Sequence, residues 1–131
     1  MQLTVSSDTA LRTLIYLGQK NAPATIAEVA EACGVPKSSL MKVVMTLVSA
    51  NLVVSERGRS GGITLAQDAG DISVGAVIRL MENSLALVEC MKVSPSYCPL
   101  LPKCRLKHIL YEAQGAFFAT LDKSSLADLL K

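Results

Sequence analysis

The sequence is short of what an enzyme needs. Its 131 residues hold one histidine, with no serine–histidine constellation and no phosphate-binding glycine loop, so the usual routes to nucleophilic or phosphoryl chemistry are closed. This length suits one domain with a real core and leaves no room for a second that would close a cleft over a substrate. No apolar run approaches the roughly 18 residues that span a bilayer, and no basic start leads into an apolar stretch. These absences point to a cytoplasmic chain with no membrane partner. An excess of one charge is also lacking: the formal net charge is +2, so any surface for a polyanion must be local. Internal repeats and low-complexity tracts are missing too.

Cysteine, by contrast, is concentrated. Cys90, Cys98 and Cys104 fall in one short segment broken by Pro95, Pro99 and Pro102, while Cys33 lies far away. In a reducing compartment, clustered thiols favour metal or redox roles over disulfides. Three thiolates want a fourth ligand. Structural zinc takes four protein ligands, whereas an iron–sulfur cluster accepts three cysteines and one other group. One disulfide with a thiol left over is the competing reading. The prolines keep the backbone irregular, which leaves amides free to point at sulfur. Cys104 opens a helical pattern, whose partial positive charge complements a thiolate ligand, and Lys103 and Arg105 flank it. Cys33 falls on the inner face of another helix, as a small buried apolar residue does.

Upstream, Asp8 to Gln19 carries Leu11, Leu14, Ile15 and Gly18 at helical spacing. Thr25 and Glu28 match a capping box at the start of a short helix with Ile26, Val29, Ala30 and Cys33 on one face. Gly34 supplies the left-handed stop. A longer helix begins near Pro36, suited to a first turn because its missing N–H would be unpaired there. It turns Leu40, Val43, Val44 and Leu47 inward and Lys37, Ser38, Ser39 and Lys42 outward. Short helix, tight turn and longer helix with a polar leading end make a helix-turn-helix.

Strand-like Leu52 to Ser55 and Ile63 to Leu65 then enclose Glu56-Arg57-Gly58-Arg59-Ser60-Gly61-Gly62, a hairpin with a basic, glycine-rich tip. A charged tip keeps any hairpin soluble, but directly after a helix-turn-helix it reads as a wing. Arg57 and Arg59 suit phosphates or the minor groove, and the tip's glycines permit close approach. Thr25, Lys37, Ser38, Ser39, Lys42, Arg57, Arg59, Ser60 and Gly61 are therefore the candidate contacts to double-stranded DNA.

Farther on, Ser73 caps a helix over Val74 to Met81, with Ile72 and Val77 in hydrophobic-staple positions. From Cys104 to about Leu121 an apolar stripe runs through Leu106, Ile109, Leu110, Ala113 and Phe117. Periodicity fits a core helix or a dimerisation helix equally. A dimer would set two recognition helices about one DNA turn apart, facing a palindromic operator. Lys123 to Lys131 reads as a short capped helix that stops abruptly, as in a chain that continues. The expected fold is mainly α with a small β-hairpin wing. One domain over 1–131 comprises a winged helix-turn-helix at 1–70, a linking helix and cysteine loop at 71–103, and a dimerisation helix and tail at 104–131.

Met1-Gln2-Leu3-Thr4 with Asp8 and Ala10-Leu11-Arg12, the helix-turn-helix, the wing from Arg57 to Ala66, and the cysteine loop with Cys104-Arg105-Leu106-Lys107 together resemble the winged-helix iron–sulfur transcriptional regulators, the family that includes NsrR and IscR. The resemblance covers nearly the whole chain. Asp8 and the Leu100 to Leu110 stretch are most similar to the nitric-oxide-sensing NsrR branch. This resemblance implies a homodimeric repressor with an iron–sulfur cluster, 4Fe-4S or alternatively 2Fe-2S, held by Cys90, Cys98 and Cys104 with Asp8 as fourth ligand from the partner subunit. Nitric oxide would be the signal, and the carboxylate corner, the weaker ligand, its point of attack. IscR-like relatives take their fourth ligand from a histidine three residues past the last cysteine. Lys107 stands there in this chain, and His108 is turned about 100° further round the helix.

Asp8 in a first helical turn also has a purely local role. Two departures from the family stand out: seven residues separate Cys90 from Cys98, a longer gap than in most relatives, and Thr9 replaces an aromatic residue. Competing functions are a regulator of iron–sulfur or redox homeostasis, a thiol-based redox regulator without metal, and an iron–sulfur electron carrier, which has no use for a winged helix-turn-helix.

Overall fold

Three amphipathic helices each bring one apolar face to a shared centre. In the computed structural model, which describes residues 1–131, α1 spans Val5–Lys20, α2 Ile26–Cys33 and α3 Lys37–Ser49. α1 begins a turn earlier than its apolar pattern indicates because Thr4 caps it, the Ser7 amide donating to the Thr4 hydroxyl at 3.3 Å. Asn21, left-handed at φ 51°, ends it. At the head of α2 half of the expected capping box forms. The Glu28 amide donates to the Thr25 hydroxyl at 3.1 Å, but the Glu28 carboxylate accepts from Lys20 at 2.6 and 2.8 Å instead of turning back. Gly34 stops α2 at φ 68° as anticipated, and Pro36 is the capping residue of α3, one position before its first turn.

The strands β1 (Val53–Glu56) and β2 (Gly62–Leu65) form an antiparallel hairpin in the register Val53↔Leu65 to Glu56↔Gly62. The hairpin is anchored to the helices by a two-way backbone bridge, Ala24 N–H to Ile63 O at 3.1 Å and Ile63 N–H to Ala24 O at 2.8 Å. Gly62 makes this possible, since at φ 141° a Cβ there would lie 2.6 Å from the Ala24 carbonyl oxygen.

A 3-10 turn (Ala69–Asp71) leads into α4 (Val74–Met81), capped by Ser73, whose hydroxyl accepts from the Ala76 amide at 3.3 Å. A second 3-10 turn (Glu89–Met91) opens the cysteine loop, which ends at α5 (Arg105–Leu121). The tail is not pendant. α6 (Leu126–Leu129) carries a full capping box between Ser125 and Asp128, and the Leu126 amide donates to the Ile72 carbonyl at 2.8 Å. Leu126 is buried, and Leu130 sits over Gly18 of α1, where a Cβ would come within 2.7 Å of it.

One core gathers Ala10, Leu14, Val29, Leu40, Leu47, Val53, Ile63, Ile72, Val77 and Leu126 from α1 to α4, the hairpin and α6, with nothing from α5. Burying each large aliphatic side chain contributes about 1.5–3 kcal/mol. α5 contributes one buried residue, Phe118, which packs with Val74 and Ile78 of α4. The Arg79 guanidinium lies 4.2 Å from the Phe118 ring and holds the Asp122 carboxylate in two hydrogen bonds at 2.7 and 2.8 Å. The rest of α5 stands out from the body, with Leu106 and Ile109 57% and 60% exposed.

Candidate DNA interface and cysteine site

The inward stripe of α3 is fully committed: Leu40, Val43, Val44 and Leu47 are buried. Its opposite face is free. Lys37, Ser38, Ser39 and Lys42 are all exposed. Arg57, Arg59 and Ser60 are exposed at the wing tip. Gly61 has a structural reason to be glycine: its amide donates to the Gly58 carbonyl at 3.0 Å, and a Cβ would fall 2.5 Å from the Glu56 carbonyl oxygen. Thr25 is exposed with its hydroxyl occupied in capping α2. The outward face also carries two residues that polarity alone does not single out, Met41 and Met45, 53% and 68% exposed. Their helical positions do single them out, since neither falls on the apolar stripe.

Cys90 lies in the 3-10 turn, Cys98 in the proline-rich loop, and Cys104 is the capping residue of α5. All three thiols are free and half-buried. They line one cavity of about 340 Å³, together with apolar groups such as Val88, Tyr97 and Leu106. Lys107 is on its wall; His108 is exposed and is not. Glu89 is the one carboxylate on the wall, and it is engaged, paired with Lys92 at 2.6 Å and accepting from the Ser96 hydroxyl at 3.2 Å. The hydrogen bond from Lys92 holds its carboxyl below the usual range. Cys33 is buried in the core, and burial pushes its thiol up.

Asp8 is not on the cavity wall of its own subunit. It pairs with Arg12, whose Nη2 is 2.8 Å and Nε 3.2 Å from the two carboxylate oxygens. Arg12 Nη1 also donates to the Cys33 carbonyl at 3.2 Å. One guanidinium thus joins Asp8 to the C-terminal end of α2.

The donor set fits an iron–sulfur cluster in kind: three free thiols on one largely apolar hollow, with a lysine beside it. No three cysteine, histidine or carboxylate side chains converge as a mononuclear metal site requires. A 4Fe-4S cluster takes one thiolate at each of three irons and does not need that convergence, whereas a 2Fe-2S cluster would bring two of the three thiolates to one iron.

Glu82, just past α4, has no counterpart among the sequence motifs. It accepts from the Thr4 amide at 2.8 Å, the Thr4 hydroxyl at 3.0 Å and the Ser7 hydroxyl at 2.5 Å. These bonds, Ser7 foremost, hold its carboxyl below the usual range. Glu82 thereby fixes the start of α1, the helix that carries Asp8, to the point where the chain departs toward the cysteine loop. No local pattern announces a bond between residues 78 positions apart.

A helix-turn-helix followed by a bridged hairpin with an arginine-bearing tip defines a winged-helix regulator. The profile of the Rrf2 family, described as "Iron-dependent Transcriptional regulator", matches residues 3–131, and the chain belongs to that family. It is 42% identical over its full length to the HTH-type transcriptional regulator NsrR of Oceanobacillus iheyensis, covering 90% of that protein. It is 41% identical to the NsrR of Bacillus subtilis, covering 91% of it. Among solved structures it is similar to IscR of T. potens, with a TM-score of 0.79 at 27% identity, covering 99% of this chain and 86% of that one. CymR of Staphylococcus aureus matches with a TM-score of 0.79 at 25% identity, over 98% and 97% of the two chains. The chain is therefore a transcriptional regulator.

Proposed function

We propose that this chain is a homodimeric DNA-binding repressor, acting in the cytoplasm, whose operator affinity is set by an iron–sulfur cluster that responds to nitric oxide. The observation that carries the reading is the meeting of Cys90, Cys98 and Cys104 on one cavity wall in a winged-helix chain, and the relatives named NsrR favour nitric oxide as the signal. The three thiolates would hold the cluster, 4Fe-4S by preference and 2Fe-2S as the alternative, with Asp8 of the partner subunit as fourth ligand. When bound, the cluster supplies iron at which nitric oxide can bind.

The chain's own residues make such a site consequential for DNA. Glu82 sets where the first turn of α1 lies, and with it Asp8. Arg12 grips Asp8 and the last carbonyl of α2 at once, so drawing Asp8 away changes the hold on the helix-turn-helix. The exposed apolar side chains of α5 supply a face for a second copy. Lys37, Ser38, Ser39 and Lys42 then enter the major groove, and Arg57 and Arg59 take phosphates or the minor groove.

The test is anaerobic fluorescence anisotropy of the iron-loaded protein on a duplex that the protein selects from a randomised pool. Nitric oxide should weaken binding at least about tenfold, or about 1.4 kcal/mol, and Asp8→Ala should change that response. Arg57→Ala and Arg59→Ala should each flatten the salt dependence by about one unit of slope for every phosphate the arginine neutralises. Binding that ignores nitric oxide in loaded protein would remove the sensing half of the reading. A thiol switch among the same three free cysteines is the second reading; reversible control by oxidants in iron-free protein selects it.

A further inference from the structure

We infer that Met41 and Met45 read thymine methyl groups in the major groove, a reading of sequence that rests on the DNA-binding role proposed above. On an α-helix of about 100° per residue, Ser38, Lys42 and Met45 point directly away from the buried stripe of α3, and Met41 flanks them one turn before Met45. Both thioethers are largely open to solvent, at 53% and 68%. The whole of α3, Lys-Ser-Ser-Leu-Met-Lys-Val-Val-Met-Thr-Leu-Val-Ser, contains no Arg, Asn, Gln, Asp or Glu. It therefore lacks the arginine, amide and carboxylate side chains that pair with guanine or adenine, or accept from cytosine. Thr46 is half-buried and uses its hydroxyl donor on the Lys42 carbonyl at 3.3 Å. What remains to tell one base pair from another is serine, lysine and apolar surface, and the apolar feature of the major groove is the thymine methyl. Methionine suits it, because an unbranched thioether adapts to an irregular apolar surface. The flanking Lys37 and Lys42 and the wing arginines make a polyanion the occupant of this face, rather than an apolar protein surface.

The experiment uses the anaerobically purified chain and a duplex it selects from a randomised pool, with each thymine replaced in turn by deoxyuridine, which deletes only the methyl. At contacted positions the wild type should bind about fourfold more weakly, the fold-change equivalent to about 0.8 kcal/mol per methyl-sized group. The Met41→Ala/Met45→Ala variant should bind more weakly and be indifferent to the same replacements. Met41→Leu/Met45→Leu, which keeps an apolar side chain at both positions, should stay sensitive. Wild-type affinity unchanged by every replacement, or equal sensitivity in the alanine variant, overturns the assignment while leaving DNA binding intact. Failure to select any duplex overturns both.

Discussion

Removing the Glu82 carboxylate should be felt in stability. Glu82→Ala removes three hydrogen bonds to a carboxylate, leaving the buried Ser7 hydroxyl only its 3.2 Å contact with the Thr4 hydroxyl, and hydrogen bonds to a charged group contribute about 1.5–3 kcal/mol each at most. Urea unfolding should show that drop, with Glu82→Gln intermediate because its amide oxygen still accepts. The same carboxylate gives a pH signature. Its folded value lies below the ordinary 4.5, so its stabilisation is complete above about pH 4.5 and fades as pH falls through the lower folded value. Asp128, held down to about 2 from 3.8 by the Ser125 amide first and Lys131 next, behaves likewise. Melting temperature should accordingly fall between about pH 4.5 and pH 2, and less steeply in Glu82→Gln. Asp8 as a first-turn acid and Cys33 as a buried thiol are legible in the sequence, because both follow from position within one helix. Glu82 is not, because its partners Thr4 and Ser7 are 78 and 75 positions away.

Elements are legible wherever one chemical signal decides the backbone. Gly34 as a stop, the buried faces of α2 and α3 and the turn at Arg57 to Gly61 all follow from local rules of helix capping and hairpin formation. Boundaries shift where a further group intervenes: Lys20 takes the Glu28 carboxylate from the capping box, and Thr4 lengthens α1. The bridge from Ala24 to the hairpin is hidden from sequence because its condition, a glycine at φ 141° beside a foreign carbonyl, shows only in three dimensions. Gly62→Ala tests it. The substitution adds backbone strain of order 1–3 kcal/mol and a clash with Ala24, so hydrogen exchange should quicken at the Ala24 and Ile63 amides. Equal exchange rates in the variant would show that the wing does not depend on this bridge.

At the scale of the whole molecule, the periodicity of α5 fits a core helix and an interface helix alike, and its surroundings show only that it is not a core helix of its own subunit. Most of its apolar side chains face solvent, including Leu106, Ile109 and Phe117. Phe117, with Leu110 and Ala113, also borders an apolar groove of about 540 Å³ that runs from Leu3 past Leu85 to Phe118. Nothing in one copy covers that face, so a dimer formed through it should separate when Ile109 becomes glutamate. Light scattering should then report a monomer whose circular dichroism is unchanged, because Ile109 contributes little to the core of its own subunit. A dimer surviving Ile109→Glu would move the interface elsewhere.

Whether the cysteine cavity holds a cluster decides how much of this molecule is a sensor. Native mass spectrometry of the anaerobically purified chain, titrated with nitric oxide, answers it most directly. The expected spectrum is a dimer with one four-iron four-sulfur cluster per subunit, giving way stepwise to iron-nitrosyl species. A dimer still free of metal after anaerobic cluster reconstitution would contradict the cluster and leave Cys90, Cys98 and Cys104 as thiols on a DNA-binding frame.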